Sequence, residues 1–237
     1  MLRSGLLAVA LMVVMFAQAA QSKEIRGAAI VVDGDTLQVG GQQVRLLGID
    51  AFEGAQELPL KTGGTDFLGR GAAMMLRSLI TSKAVVCELS ELSDGRGLPL
   101  ATCYSNETDL ARELVLNGIA LAAQKHGSTY LNEQETARAR KRGFWRDEVE
   151  TPWVFRDRRV NEAAKTAPAS CPFKGVVLNN RKTLITPWSP WYAETSIERA
   201  RGDNWFCNER QAVAEGWYEP TWLIQSVVSG VYNPGQR

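Results

Sequence analysis

A chain of 237 residues with 45% hydrophobic and 22% charged residues holds enough apolar surface for one compact domain and a smaller appendage, and its composition excludes a disordered chain. Its 27 lysines and arginines stand against 26 aspartates and glutamates, so bulk charge does not hold it on a polyanion, and any grip on a phosphate has to be local. A single histidine and the lack of a Cys-x-x-Cys pair argue against a zinc centre.

In chain order, Arg3, an apolar run over 5–16 and Ala17-Gln18-Ala19 predict a secretory signal peptide over 1–19. The run is too short to span a bilayer, so the expected product is exported, periplasmic or secreted, bacterial, and not inserted in a membrane. Removing Arg3 leaves basic and acidic residues in balance. Short strands follow at 28–32, 36–39 and 44–49, separated by Asp33-Gly34-Asp35 and Gly40-Gly41-Gln42 turns. A loop is expected over 53–64. Leu68, Ala72, Met75 and Leu79 then repeat at helical spacing.

Two further strands, 85–89 and 100–104, flank Asp94-Gly95-Arg96-Gly97. Cys87 and Cys103 lie equally far from Gly95, so a hairpin centred there sets them opposite each other. That leaves Cys171 to pair with Cys207, and an oxidising compartment agrees with both. Leu110 and Leu114 share a helix face that Asn117-Gly118 ends. A third, charged helix is expected over 131–142, closed by Gly143-Phe144-Trp145. Five short strands and three helices in this order predict an α+β fold around a small OB-like β-barrel. Residues 148–169 read as a linker. Five of the seven tryptophans lie in the last fifty residues, which predicts a small disulfide-clamped, Trp-rich C-terminal module over 170–225.

Three segments carry chemistry. Asp33 and Asp35 are two apart and share a face in extended chain. Asp50 ends the third strand and Glu53 follows three residues on. Carboxylates at converging strand ends make a hard-oxygen site of the kind calcium and magnesium take. Arg45 and Arg96 bring two permanent charges matched to a phosphate.

The pattern Asp-Gly-Asp-Thr, then Arg-Leu-Leu-x-Ile-Asp-x-x-Glu, then Gly-Arg-Gly resembles the staphylococcal nuclease (thermonuclease) family over residues 24–147. The resemblance implies a calcium-dependent phosphodiesterase acting on DNA or RNA and leaving 3′-phosphate products. It implies that Asp35, Asp50 and the backbone carbonyl of Ala51 bind Ca2+, with Asp33 behind them. Glu53 would reach the metal through water and serve as general base, and Arg45 and Arg96 would hold the phosphate. The C-terminal stretch is similar to a small domain appended to bacterial members. The expected partner is the nucleic-acid substrate, and the chain is expected to be a monomer.

Departures from the family pattern are local. Phe52 stands where the family has proline, which predicts a looser loop before Glu53. Ser93-Asp94 replaces a basic residue and a tyrosine, and Ala123 and His126 replace tyrosines that contact the nucleotide. These changes predict a thinner nucleotide grip around an intact catalytic set. The alternative is a non-catalytic OB-type module binding nucleic acid or envelope polysaccharide, because such a barrel also supports binding alone. A nuclease-like accessory to polysaccharide export is a third reading.

Overall fold

The computed structural model describes residues 23–59, 63–123 and 129–219; the expected signal peptide and His126 lie outside them. The elements run β1 (Glu24–Gly27), β2 (Ala29–Val31), β3 (Thr36–Val39), β4 (Gln42–Leu46), β5 (Ile49–Ala51), β6 (Glu57–Pro59), β7 (Thr65–Phe67), α1 (Leu68–Leu79), β8 (Val85–Ser93), β9 (Pro99–Ser105), β10 (Thr108–Asp109), α2 (Leu110–Leu116), β11 (Ala120–Ala122) and α3 (Leu131–Ala139). After them come α4 (Pro152–Ala164), β12 (Phe173–Leu178), β13 (Arg181–Ile185), β14 (Asn204–Phe206) and α5 (Glu209–Ala214).

The class is α+β. The main sheet pairs in the order β1-β8-β9-β4-β3-β2 with β10 added to β9, an open sheet of seven strands where a barrel of five was expected. The additional pairing comes from β1, which lies along β8, and from the short β10. Gly40 and Gly41 have φ of 56° and 88° and form the two-residue turn between β3 and β4, the conformation a tight hairpin requires. The long-range step is β4 against β9 in parallel, Arg45 opposite Leu100, which brings the Asp94–Gly97 turn beside the strand that carries Arg45.

The core lies under this sheet. Leu37, Val39, Val44 and Leu46 pack against Leu76 of α1 and Leu110 and Leu114 of α2, all buried. The α1 face that is buried is Gly69, Ala72, Ala73 and Leu76, so Met75 and Leu79 sit at its margin. Asp109 caps α2 by accepting from the Arg112 amide, a typical N-cap. The chain over 53–64, expected to be a loop, holds β6, which pairs with β7.

Both expected disulfides are present. Cys87 and Cys103 face each other in the β8–β9 register, and Cys171 joins Cys207. The C-terminal module is a three-stranded sheet in the order β13-β12-β14, with Phe173, Leu184, Trp188, Phe206 and Trp217 buried together. Phe155 of α4 completes that cluster. Residues 148–169 therefore include a thirteen-residue helix docked on the module. Pro152 starts it at a position where no amide hydrogen is needed. Among the described residues no helix is long and apolar enough to cross a membrane.

Candidate active site

Asp35 sits at the β2–β3 turn, where the Asp33 carboxylate accepts from the Asp35 amide at 2.9 Å. Asp33 thus shapes the turn, and Asp35 is aimed inward at 4% exposure. Gly34 makes this possible: a Cβ there would lie 2.6 Å from the Ala72 Cβ and 2.7 Å from the Ala51 Cβ. The turn is pressed onto α1 and β5, so any side chain would push it out.

Arg45 lies opposite Thr36 in the β3–β4 register. Its Nη2 donates to Asp35 Oδ2 at 2.8 Å and to Asp50 Oδ1 at 2.9 Å. Asp50 is held on β5, which pairs antiparallel with β11. The Ala51 amide donates to Asp35 Oδ2 at 2.9 Å. Burial opposes the Asp35 charge, but Arg45 and the Ala51 amide hold its carboxyl below the usual range. An aspartate from the β2–β3 turn and one from β5 thus converge on one guanidinium nitrogen, a pairing that nearly full burial strengthens.

Glu53 follows on the chain. Phe52 is buried at 4% exposure and meets Phe144 edge-on with ring centroids 4.7 Å apart. It anchors the segment by packing. Burial pushes Glu53 up to about 8, with the Arg156 guanidinium working against that rise. Burial and the neighbouring Asp35 push Asp33 up to about 7.

Arg96 projects from the Asp94–Gly97 turn. Asp94 Oδ1 accepts from the amides of Arg96 and Leu98 at 2.9 Å each, and its Oδ2 accepts from Arg96 Nε at 2.9 Å. Asp94 therefore orients the arginine, a role its place in a departure from the family pattern did not suggest. Burial opposes the Arg96 charge, and Glu219, Glu209 and Asp94 hold it above its ordinary value.

Three charged groups, Arg156, Glu209 and Glu219, come from beyond the nuclease-like segment, and none was anticipated. Arg156 of α4 donates to Asp50 Oδ1 at 2.9 Å, Asp50 Oδ2 at 2.6 Å and Glu53 Oε1 at 2.5 Å. Glu219 accepts from Arg96 Nη1 at 2.7 Å. The sequence carries a signal for the first. Pro152, Phe155, Arg159 and Val160 recur at i, i+3, i+7 and i+8, a helix face that the charged run around it obscures. Glu219 has no comparable local signal.

These residues line one cavity of about 260 Å3, and Asp33, Ala51 and Ala123 are in its wall. Seven carboxylates face three arginines there. The site is therefore acidic, and an anionic substrate needs a compensating cation or protons. No group of three or more His, Cys, Asp or Glu side chains is arranged as a metal cage among the described residues; arginine fills the space between the carboxylates.

The family model described as staphylococcal nuclease homologue matches residues 43–147. A succinoglycan biosynthesis protein, ExoI, of Rhizobium meliloti (strain 1021) is 31% identical over 147 residues, covering 60% of this chain and 76% of that protein. The chain belongs to the staphylococcal nuclease homologue family. An uncharacterized endonuclease of Escherichia coli O157:H7 is 28% identical over 145 residues, 57% of this chain and 88% of that protein, and one of Escherichia coli matches to the same extent. The matched segment contains Arg45, Asp50, Glu53, Asp94 and Arg96. Asp33 and Asp35 precede the matched segment, and Arg156, Glu209 and Glu219 lie beyond it, so the match covers five of the ten charged groups in the cavity.

Proposed function

We propose that the protein is an exported, calcium-dependent nuclease that hydrolyses phosphodiester bonds of DNA or RNA to 3′-phosphate products. The observation that carries this reading is the convergence of Asp35 and Asp50 on Arg45, with Glu53 beside them and Arg96 across the same cavity.

The donor chemistry fits a hard cation. Asp35 and Asp50 offer oxygens on either side of one nitrogen, Glu53 is adjacent, and the surrounding excess of carboxylates favours positive charge. Asp35, Asp50 and the Ala51 carbonyl would hold the calcium, which when bound polarises a phosphoryl oxygen and lowers the charge that repels substrate. The chain's own groups do the rest. Arg45 and Arg96 bind the phosphate oxygens and stabilise the charge that builds on them in the transition state. Glu53 positions a water opposite the 5′ oxygen and accepts its proton. The bond from phosphorus to the 5′ oxygen breaks; Arg96 hydrogen-bonds the departing oxygen, which takes its proton from solvent, and Glu53 returns its own proton to solvent. Asp94 holds Arg96 for this task. The two disulfides support export.

The test is the chemistry of the ends. Denatured, 5′-labelled DNA incubated with the oxidised full chain and calcium should give 3′-phosphate fragments, and chelator should stop the reaction. Arg45→Ala should slow it by ~10³-fold or more. No cleavage of DNA or RNA with calcium, magnesium or manganese would overturn the reading. A second reading, an accessory to polysaccharide assembly, draws on the relative named for succinoglycan biosynthesis. It predicts binding of a polysaccharide without cleavage of nucleic acid.

A further inference from the structure

The appended elements reach into the cavity from two sides with opposite charges. Arg156 covers both oxygens of Asp50 and one of Glu53. Arg45 and the Ala51 amide take Asp35 Oδ2. On the far side Glu219 lies on the Arg96 guanidinium, and its other oxygen accepts from Thr186 Oγ1 at 3.1 Å.

Neither group is a loose surface side chain. Arg156 follows Phe155, which is buried in the module core, and Arg159 Nε on the same helix donates to the Pro187 carbonyl at 2.9 Å. Glu219 follows Tyr218, whose carbonyl accepts from the Leu184 amide at 2.9 Å, so β13 fixes where it enters. The side chains of Arg156 and Glu219 are each 22% exposed. Gln56 Nε2 donates to the Glu150 carbonyl at 2.5 Å and ties the start of this segment to the loop after Glu53.

We propose that the C-terminal segment occupies the catalytic site itself: Arg156 stands on the carboxylates that would ligate the cation, and Glu219 stands on the guanidinium that would hold the substrate phosphate. This rests on the hydrolytic, metal-dependent reading above. An Asp50 oxygen that accepts a guanidinium at 2.6 Å has no room for a metal bond in the same direction. Cation binding is therefore linked to withdrawal of Arg156, and the linkage is reciprocal. Phosphate and Glu219 compete for Arg96 in the same way. The protein is held closed by its own cation and its own anion, and calcium with substrate replaces both. Removing Arg156 leaves seven carboxylates against two arginines in the cavity, which strengthens its attraction for a divalent ion.

Calorimetric titration of the full oxidised chain with calcium chloride tests the cation half. Arg156→Gln should bind calcium at least ten times more tightly than the wild type, and adding Asp50→Asn should abolish that binding. Arg156→Lys, which keeps the charge and loses the two-pronged contact, should fall between them and guards against a folding artefact. Equal calcium affinity in wild type and Arg156→Gln would overturn the competition while leaving the metal-dependent reading intact. No calcium binding by either would overturn both. For the anion half, Glu219→Gln should bind inorganic phosphate at least ten times more tightly than the wild type, and Arg96→Ala in that background should remove the gain. An unchanged phosphate affinity would overturn this half.

Discussion

Gly69 gives the sharpest prediction about how the fold positions Glu53. It is the second residue of α1, buried, and its missing side chain faces the chain that carries the glutamate. A Cβ there would lie 2.3 Å from the carbonyl carbon and oxygen of Glu53 and 2.6 Å from the Gly54 nitrogen. Ordinary contact begins at 3.4 Å, so Gly69→Ala requires the backbone at Glu53 to retreat by roughly 1 Å. Overpacking of this kind costs about 1–3 kcal/mol, offset by about 1 kcal/mol of improved helix propensity. The net loss of stability should be no more than about 2 kcal/mol. The loss of activity should be disproportionate, because a 1 Å misplacement of a catalytic group costs ~10²-fold. Gly71, two residues along the same helix, has nothing within 4 Å of its would-be Cβ. Gly71→Ala should therefore keep full activity and gain about 1 kcal/mol of stability. Steady-state cleavage of denatured DNA with urea unfolding of both variants separates the two effects. Equal kcat in Gly69→Ala and Gly71→Ala would refute the idea that the close approach of α1 sets the position of Glu53.

Three further outcomes are expected. Burial raises Glu209 from 4.5 to about 7, with Arg96 opposing, and Glu209 Oε1 is buried without a hydrogen-bond partner among the described residues. The folded state thus binds its proton more tightly than the unfolded chain, so this group costs stability as pH rises from 4.5 to 7. Glu209→Gln should flatten that dependence and stabilise the protein at pH 8 by on the order of 1–3 kcal/mol; urea midpoints at pH 5 and pH 8 check it, and a variant weaker at pH 8 contradicts it. Phe155→Ala should destabilise the module by about 3–5 kcal/mol and expose α4 to proteolysis before the main sheet, read by timed digestion and mass spectrometry. Replacing Cys171 and Cys207 by serine opens a loop with a sequence separation of 36 and should cost about 4 kcal/mol by chain entropy, seen as a lower unfolding midpoint with Cys87–Cys103 intact.

Much of the site was legible because its residues sit at strand ends or in turns with local signals. Asp94-Gly95-Arg96-Gly97 announces its own hairpin, and the equal spacing of Cys87 and Cys103 about Gly95 sets their pairing. The Asp-Gly-Asp turn announces itself in sequence, although the close packing of Gly34 against Ala72 and Ala51 does not. The parts that were not legible depend on long-range docking. Phe52 reads as a missing proline until Phe144, from a distant turn, is seen against it. Arg156 lies in a charged run, and only the burial of Phe155 in the module core turns that run into an arm of the active site. Glu219 is placed by the pairing of Tyr218 with β13, which no local pattern encodes. The seven-stranded sheet needs β1, whose alternating exposure at an edge is too short to stand out.

The most direct test of the central claim compares the oxidised full chain with Glu53→Gln on denatured DNA and on RNA, with saturating calcium. Calcium-dependent cleavage by the wild type, slowed by ~10²-fold or more in the variant with KM little changed, is the predicted result. Equal cleavage by both would place the chemistry elsewhere, and no cleavage by either would contradict the assignment of this cavity as a hydrolytic site.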